Sequence, residues 1–174
     1  RFGAPSSMKR RFLRLTEREV EPERNRAGGR IVAKMNQLQD TEVIRALYDA
    51  SRAGVKIDLI VRGFCTLRPG VPGLSENIRV MSVIGRFLEH SRIFCFRNGK
   101  DDPLDSDFFI GSADWMHRNL NDRVEAITPV EDRALRERLW RVIQLPLVDR
   151  RQCWDMQPDG SYTLRDPAGH PPES

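Results

Sequence analysis

The chain has 174 residues, 39% hydrophobic and 31% charged, with a mean hydropathy of −0.54 and a formal net charge of +4. That composition suits one soluble domain with a real core and excludes collagen-like and membrane-spanning chains. Residues 1–30 hold nine Lys/Arg against four Glu, net +5, whereas 31–174 hold 20 basic and 21 acidic residues, net −1. A body without a basic excess is not that of a duplex-binding protein, so no nucleic-acid partner is expected. Of the 29 basic residues, 25 are Arg. Genome composition explains such a bias as readily as a need for planar forks on phosphate does. Three cysteines, Cys65, Cys95 and Cys153, show no CxxC spacing and read as reduced thiols. The N-terminus has no apolar leader core, so a cytoplasmic location is expected.

In chain order, Ser7 to Val20 reads as a helix, with Met8, Phe12 and Leu15 at helical spacing. Pro22 and Gly28-Gly29 mark 21–29 as a linker. Ile31 to Met35 reads as a buried strand. Asp40 caps a helix with an apolar stripe of Val43, Ile44, Leu47 and Ala50, and Gly54 closes it. Val55, Ile57, Leu59 and Val61 alternate as a strand, which makes a βαβ unit and a parallel pair. A Gly/Pro-rich loop, 63–77, leads to a strand from Ile78 to Ile84 and a short turn, Gly85 to His90. Arg92 to Phe96 and Phe108 to Ile110 read as strands around a polar loop with Asn98-Gly99, and Arg123 to Thr128 as another. Asp132 caps a long helix carrying Leu135, Leu139, Val142 and Ile143. From Arg150 onward only a turn at Pro158-Asp159-Gly160 and a frayed tail are expected. The fold class is α/β, a mixed β-sheet flanked by helices.

In open α/β sheets ligands sit beyond the carboxyl ends of strands. Arg62 ends a strand in Val61-Arg62-Gly63, where glycine lets a ligand approach the backbone. His90 stands just before a strand, two residues from Arg92, and Gly111-Ser112-Ala113-Asp114 follows the next one. Imidazole, guanidinium and hydroxyl groups in such a set suit phosphoryl chemistry: the first attacks phosphorus or moves a proton, the others hold oxygens. Each alone has a duller reading, as a surface histidine, an ion-pair partner or a turn. Trp115 and Met116 read as packing, and His117 and His170 are given no role. No spacing of His and acids suggests a metal held by this chain.

The segment from Ile31 to Val130 resembles the C-terminal domain of polyphosphate kinase, the family that builds inorganic polyphosphate from ATP. The strings that carry the resemblance are Ala33-Lys34-Met35-Asn36, Ala53 to Gly63 (AGVKIDLIVRG), Leu67 to Arg79 (LRPGVPGLSENIR), Gly85 to Ile93 (GRFLEHSRI) and Ser112 to Leu120 (SADWMHRNL). The resemblance implies a phospholipase D-like domain, since His-x-Arg and Gly-Ser-Ala-Asp echo the His-x-Lys and Gly-Ser-x-Asn of that fold. It also implies that Arg62 binds ATP phosphates and that His90 contacts them as proton donor or transition-state stabiliser. Arg92, Ser112, Asp114, Arg118 and Asn119 lie in matching motifs and are candidate phosphate contacts.

By the same resemblance, the phosphorylated histidine belongs to a preceding domain that this chain lacks, in a His-Leu-Gly-Thr-Gly-Asn-type segment. ATP and ADP are then substrates, and Mg²⁺ is expected on absent domains. The expected partners are polyphosphate, the remaining kinase domains and further copies of the chain, with peripheral membrane association open. The chain divides into a basic helix and linker (1–29), the kinase-like domain (30–150), and a turn and tail (151–174). Two alternatives stand beside this reading. One is a phospholipase D-like phosphodiesterase that completes its site as a homodimer; the other is a non-catalytic remnant that binds polyanions through the basic helix. Arg62 and His90 share an edge only if their strands are neighbours of opposite sense. If no cation neighbours His90, triphosphate or ATP should bind more tightly as pH falls through the range where imidazoles protonate.

Overall fold

Five consecutive buried residues, Ile31 to Met35, demand cover on both faces, and the chain supplies it by placing strand β1 (Arg30–Met35) at the centre of an eight-stranded sheet. The computed structural model describes residues 5–21, 28–83, 90–149 and 152–165. Its elements run α1 (Pro5–Val20), β1, α2 (Thr41–Arg52), β2 (Lys56–Val61), β3 (Ile78–Val83), β4 (Ile93–Phe96), β5 (Asp107–Gly111), β6 (Ile127–Val130), α3 (Arg133–Val148), β7 (Cys153–Met156) and β8 (Tyr162–Leu164). The strand order is β6-β5-β4-β1-β2-β3-β7-β8. β1, β2 and β3 are parallel, and every other pairing is antiparallel.

The expected βαβ unit is present. Asp40 caps α2 by accepting from the amides of Glu42 and Val43 at 3.1 and 3.0 Å. Gly54, with φ +92°, takes the left-handed conformation that ends the helix. Alternation along the strands then sorts side chains into two layers. Ile31, Ala33, Met35, Leu59, Phe94 and Phe96 pack against α1 and α2, and Val32, Ile60, Ile93 and Cys95 pack against Ile143 of α3. The first layer includes Met8, Phe12 and Leu15 of α1, with the Phe12 ring 4.7 Å from Phe94 and 5.4 Å from Trp115. Both ends of α1 are tied down. Lys9, nearly buried, meets Asp40 at 3.0 Å and Glu42 at 2.7 Å. Burial opposes its charge, but the two carboxylates outweigh that and hold its pKa above the ordinary lysine value. At the other end Glu19 accepts from the amides of Asn98 and Arg30 at 2.7 and 3.2 Å.

Three elements differ from the sequence reading. Residues 123–126 are not strand, and β6 begins at Ile127. The preceding residues instead curl under the end of β5, where a Cβ on Gly111 would lie 2.4 Å from the Ala126 carbonyl oxygen. Residues 153–164 are not only a turn, because β7 pairs with β3 and β8 with β7 around the expected turn at Pro158-Asp159-Gly160. Arg165 fastens this hairpin: it binds both Asp155 carboxylate oxygens and donates to the carbonyls of Pro146, Leu147 and Asp149, which α3 leaves open at its C-terminus. On α3, Ile143 is buried, whereas Leu135 and Val142 are exposed. The expected turn over residues 85–89 and the tail over 166–174 lie outside the described residues.

Cys65, Cys95 and Cys153 are free and buried. Burial pushes Cys65 up to about 11, Cys95 up to about 12, and Cys153 upward as well. Below the unfolded thiol pKa of about 8.5 this adds no pH dependence; above it the unfolded chain loses protons first, so stability falls as pH rises. At pH 8 the folded chain should therefore not react with Ellman's reagent, and all three thiols should react once denaturant is added. Stoichiometric labelling of the folded chain would contradict the burial described here.

Candidate functional site

Parallel β1 and β2 end where antiparallel β4 begins and β5 ends, so the loops after β1, β2 and β5 and the lead-in to β4 converge on one sheet edge. Backbone bonds join these loops: Leu38 donates to Phe64 at 3.0 Å, Gly63 to Asn36 at 2.8 Å, and Gln39 and Asp40 to Trp115 at 2.8 and 2.9 Å. Gly63 permits its contact, since a Cβ there would stand 3.0 Å from the Asn36 carbonyl oxygen. Trp115 is fully buried, as packing requires.

Asp114 is the anchor of this edge. It is 5% exposed, and its carboxylate receives Arg92 Nε and Nη2, both at 3.1 Å, and the Asn36 amide at 2.7 Å. The fork geometry leaves Arg92 Nη1 directed at His90, 2.7 Å from Nδ1 and 3.0 Å from the carbonyl oxygen. A guanidinium can only donate, so Nδ1 accepts, and a neutral imidazole carries its proton on Nε2. His90 itself is exposed. Its neighbour Ser91 accepts from the buried Lys34 through Oγ at 2.9 Å and through its carbonyl at 3.4 Å. The Arg92 guanidinium is thus a cation beside His90, where the sequence reading expected none.

Arg62 follows β2, with its amide bonded to the Met35 carbonyl at 3.2 Å and its carbonyl receiving Ser82 Oγ at 3.2 Å. Its Nη1 is buried and has no hydrogen-bond partner among the described residues. A charged donor in that state asks for an anionic acceptor. The strands of Arg62 and His90 are not neighbours, because β1 lies between them. They run in opposite senses all the same, so both residues reach one edge, about two strand spacings or 10 Å apart.

The remaining candidates are committed within the protein. Ser112 Oγ donates to Glu125 Oε2 and accepts from the Ala126 amide at 3.1 Å, and Asn119 Nδ2 donates to Glu125 Oε1 at 2.8 Å. Asp114 orients Arg92. Only Arg118, exposed at the start of the helical turn Arg118–Asp122, has no partner among the described residues. The sequence reading assigned no site role to Asn36, Lys34 or Glu125. The first two sit within a quoted string at the carboxyl end of β1, whereas Glu125 carries no motif signal.

The family model for polyphosphate kinase C-terminal domain 2 matches residues 2–174, beyond the 31–130 stretch of the quoted strings. A polyphosphate kinase of Thermosynechococcus vestitus is 58% identical over 165 residues, covering 95% of this chain and 22% of that protein. Polyphosphate kinase 1 of Chlorobaculum tepidum is 52% identical over 161 residues, 92% of this chain and 22% of that one. The crystal structure of polyphosphate kinase from Porphyromonas gingivalis matches with a TM-score of 0.86 at 41% identity, over 96% of this chain and 25% of its own. Nuc from Salmonella typhimurium, a phospholipase D family member, shares the fold, with a TM-score of 0.58 at 14% identity over 86% of this chain and 90% of its own. This chain spans about 22% of the length of the curated relatives named here.

Proposed function

The chain belongs to the polyphosphate kinase family, as its C-terminal domain 2, and from that membership we propose that it supplies the phosphate-holding half of the kinase active site. The observation that carries the reading is the buried, unpartnered Nη1 of Arg62 at the same edge as the Nε2–H that Arg92 and Asp114 present on His90. Arg62 binds non-bridging oxygens of the ATP triphosphate, and His90 donates from Nε2 toward the oxygen that takes up charge as the γ-phosphoryl group departs. In the first transfer the bond from the γ-phosphorus to the ADP oxygen breaks, and one to a histidine nitrogen outside these 174 residues forms. In the second, that P–N bond breaks and a terminal polyphosphate oxygen takes the phosphoryl group. Arg92 and Asp114 act as positioning residues and touch neither substrate.

The residues present do not fit a Mg²⁺ site. No group of three or more His, Cys, Asp or Glu converges among the described residues, and the two carboxylates at the edge, Asp114 and Glu125, are spent on Arg92, Asn36, Ser112 and Asn119. No helix among the described residues is long and apolar enough to cross a membrane.

Half a site binds without turning over. The purified 174-residue chain should bind tripolyphosphate or ATP yet form no polyphosphate from ATP and Mg²⁺. Sustained polyphosphate synthesis by the chain alone, measured by gel or by ADP release, would overturn the division of labour proposed here.

A further inference from the structure

Away from the site edge, a cleft of about 490 Å³ opens between α1, the β5–β6 edge of the sheet and α3, and it is lined by Arg11, Arg14, Arg18 and Arg136. The three helix arginines recur at i, i+3 and i+7, so α1 presents them as one stripe. Four guanidiniums face two lining carboxylates, which leaves the cleft a formal net charge of +2. Arg11 lies over the Phe109 ring, 4.8 Å from its centroid. Arg14 is exposed and has no partner among the described residues. Arg136 is fixed by neutral acceptors, the carbonyls of Val130 at 2.7 Å and Leu104 at 3.3 Å, which hold the guanidinium in place and leave its charge uncancelled. Arg18 pairs with Asp107 at 2.6 Å, but its Nε is buried with no hydrogen-bond partner. Asp107 and Glu131 are the lining carboxylates, and Asp107 is already occupied by Arg18 and by Asn98 at 3.2 Å.

We infer that this cleft is a second anion site, which takes phosphate groups of a polyphosphate chain far from its reacting end. Successive guanidinium forks along one groove suit a linear polyanion with an acceptor at every unit. A nucleic acid fits less well, because the Phe109 face that could stack a base is covered by Arg11. Asp107 opens β5 and Gly111 closes it at the catalytic edge, so at about 3.3 Å per residue the far end of the cleft lies roughly 13 Å from that edge. The choice of polyphosphate as ligand rests on the function proposed above; the anion site itself rests on the arginines.

The test is calorimetric binding of long-chain inorganic polyphosphate and of tripolyphosphate to the 174-residue chain, as wild type, Arg14→Gln, Arg11→Gln/Arg14→Gln and Arg62→Ala. The double variant should bind the long chain about tenfold or more weakly, and its log-affinity against log-salt slope should flatten by about two. Its tripolyphosphate affinity should hold. Arg14→Gln alone should lose part of the long-chain affinity with unchanged thermal unfolding, because an exposed, unpaired side chain holds nothing together. Unchanged long-chain binding in the folded double variant overturns the inference, as does equal displacement by duplex DNA at matched phosphate concentration. Loss of the Arg62 effect on tripolyphosphate would instead sink the catalytic-edge reading and leave this cleft standing.

Discussion

Replacing Asp114 by alanine should destabilise the chain by about 3–5 kcal/mol, the cost of leaving a largely buried guanidinium without its counter-ion. Arg92 is 13% exposed and binds Asp114 through two nitrogens, and the Asn36 amide loses its acceptor in the same step. In a domain of this size that loss lowers the melting temperature by roughly 6–20 °C. Asp114→Asn should fall between, since its Oδ1 still accepts from Asn36 but the charge opposite Arg92 is gone. A change under about 1 kcal/mol in Asp114→Ala, measured by denaturant titration, would mean that Arg92 finds another partner. Tripolyphosphate affinity should drop in both variants, because a released Arg92 no longer fixes the His90 ring.

Arg62→Ala should behave in the opposite way. Its Nη1 bonds to nothing in the described protein, so deleting the guanidinium removes an unsatisfied donor and leaves melting nearly unchanged. Binding carries the whole effect. A charged hydrogen bond contributes about 1.5–3 kcal/mol, which makes tripolyphosphate binding weaker by roughly 10- to 150-fold. Arg62→Lys should recover only part of this, since an ammonium offers a point charge and no fork. Equal affinities for wild type and Arg62→Ala would remove Arg62 from the site.

The contrast between these residues shows what was readable in the sequence. The βαβ unit was legible because its signals are local: Asp40 as cap, Gly54 as stop, and alternation from Val55 to Val61. The place of Arg62 just after β2 was legible for the same reason, as a polar residue ending an apolar strand. The bond from Arg92 to Asp114 was not, because it spans 22 residues and exists only once β4 and β5 pair antiparallel. Glu125 was equally hidden, since it is defined by Ser112 and Asn119, which belong to other segments. The strand Cys153–Met156 escaped notice because its four residues carry no clean alternation; pairing with β3 and the grip of Arg165 on Asp155 make it a strand. The basic helix was half legible. Met8, Phe12 and Leu15 showed a buried face, but its place over Phe94 and Trp115 depends on residues some 80 to 100 positions away.

The order of the strands also bears on how the sheet is made during synthesis. β1 is translated first and lies in the middle; β2 and β3 add on one side, β4, β5 and β6 on the other, and β7 and β8 return to the first side. Each strand, on leaving the ribosome, meets a free edge of sheet that already exists. None has to be inserted between two strands already bonded to each other. A nascent chain can thus lay down the sheet from the centre outward, in the direction translation delivers it, without undoing an earlier pairing. Every rim of the growing sheet except the final two, β6 and β8, is a strand that a later segment covers.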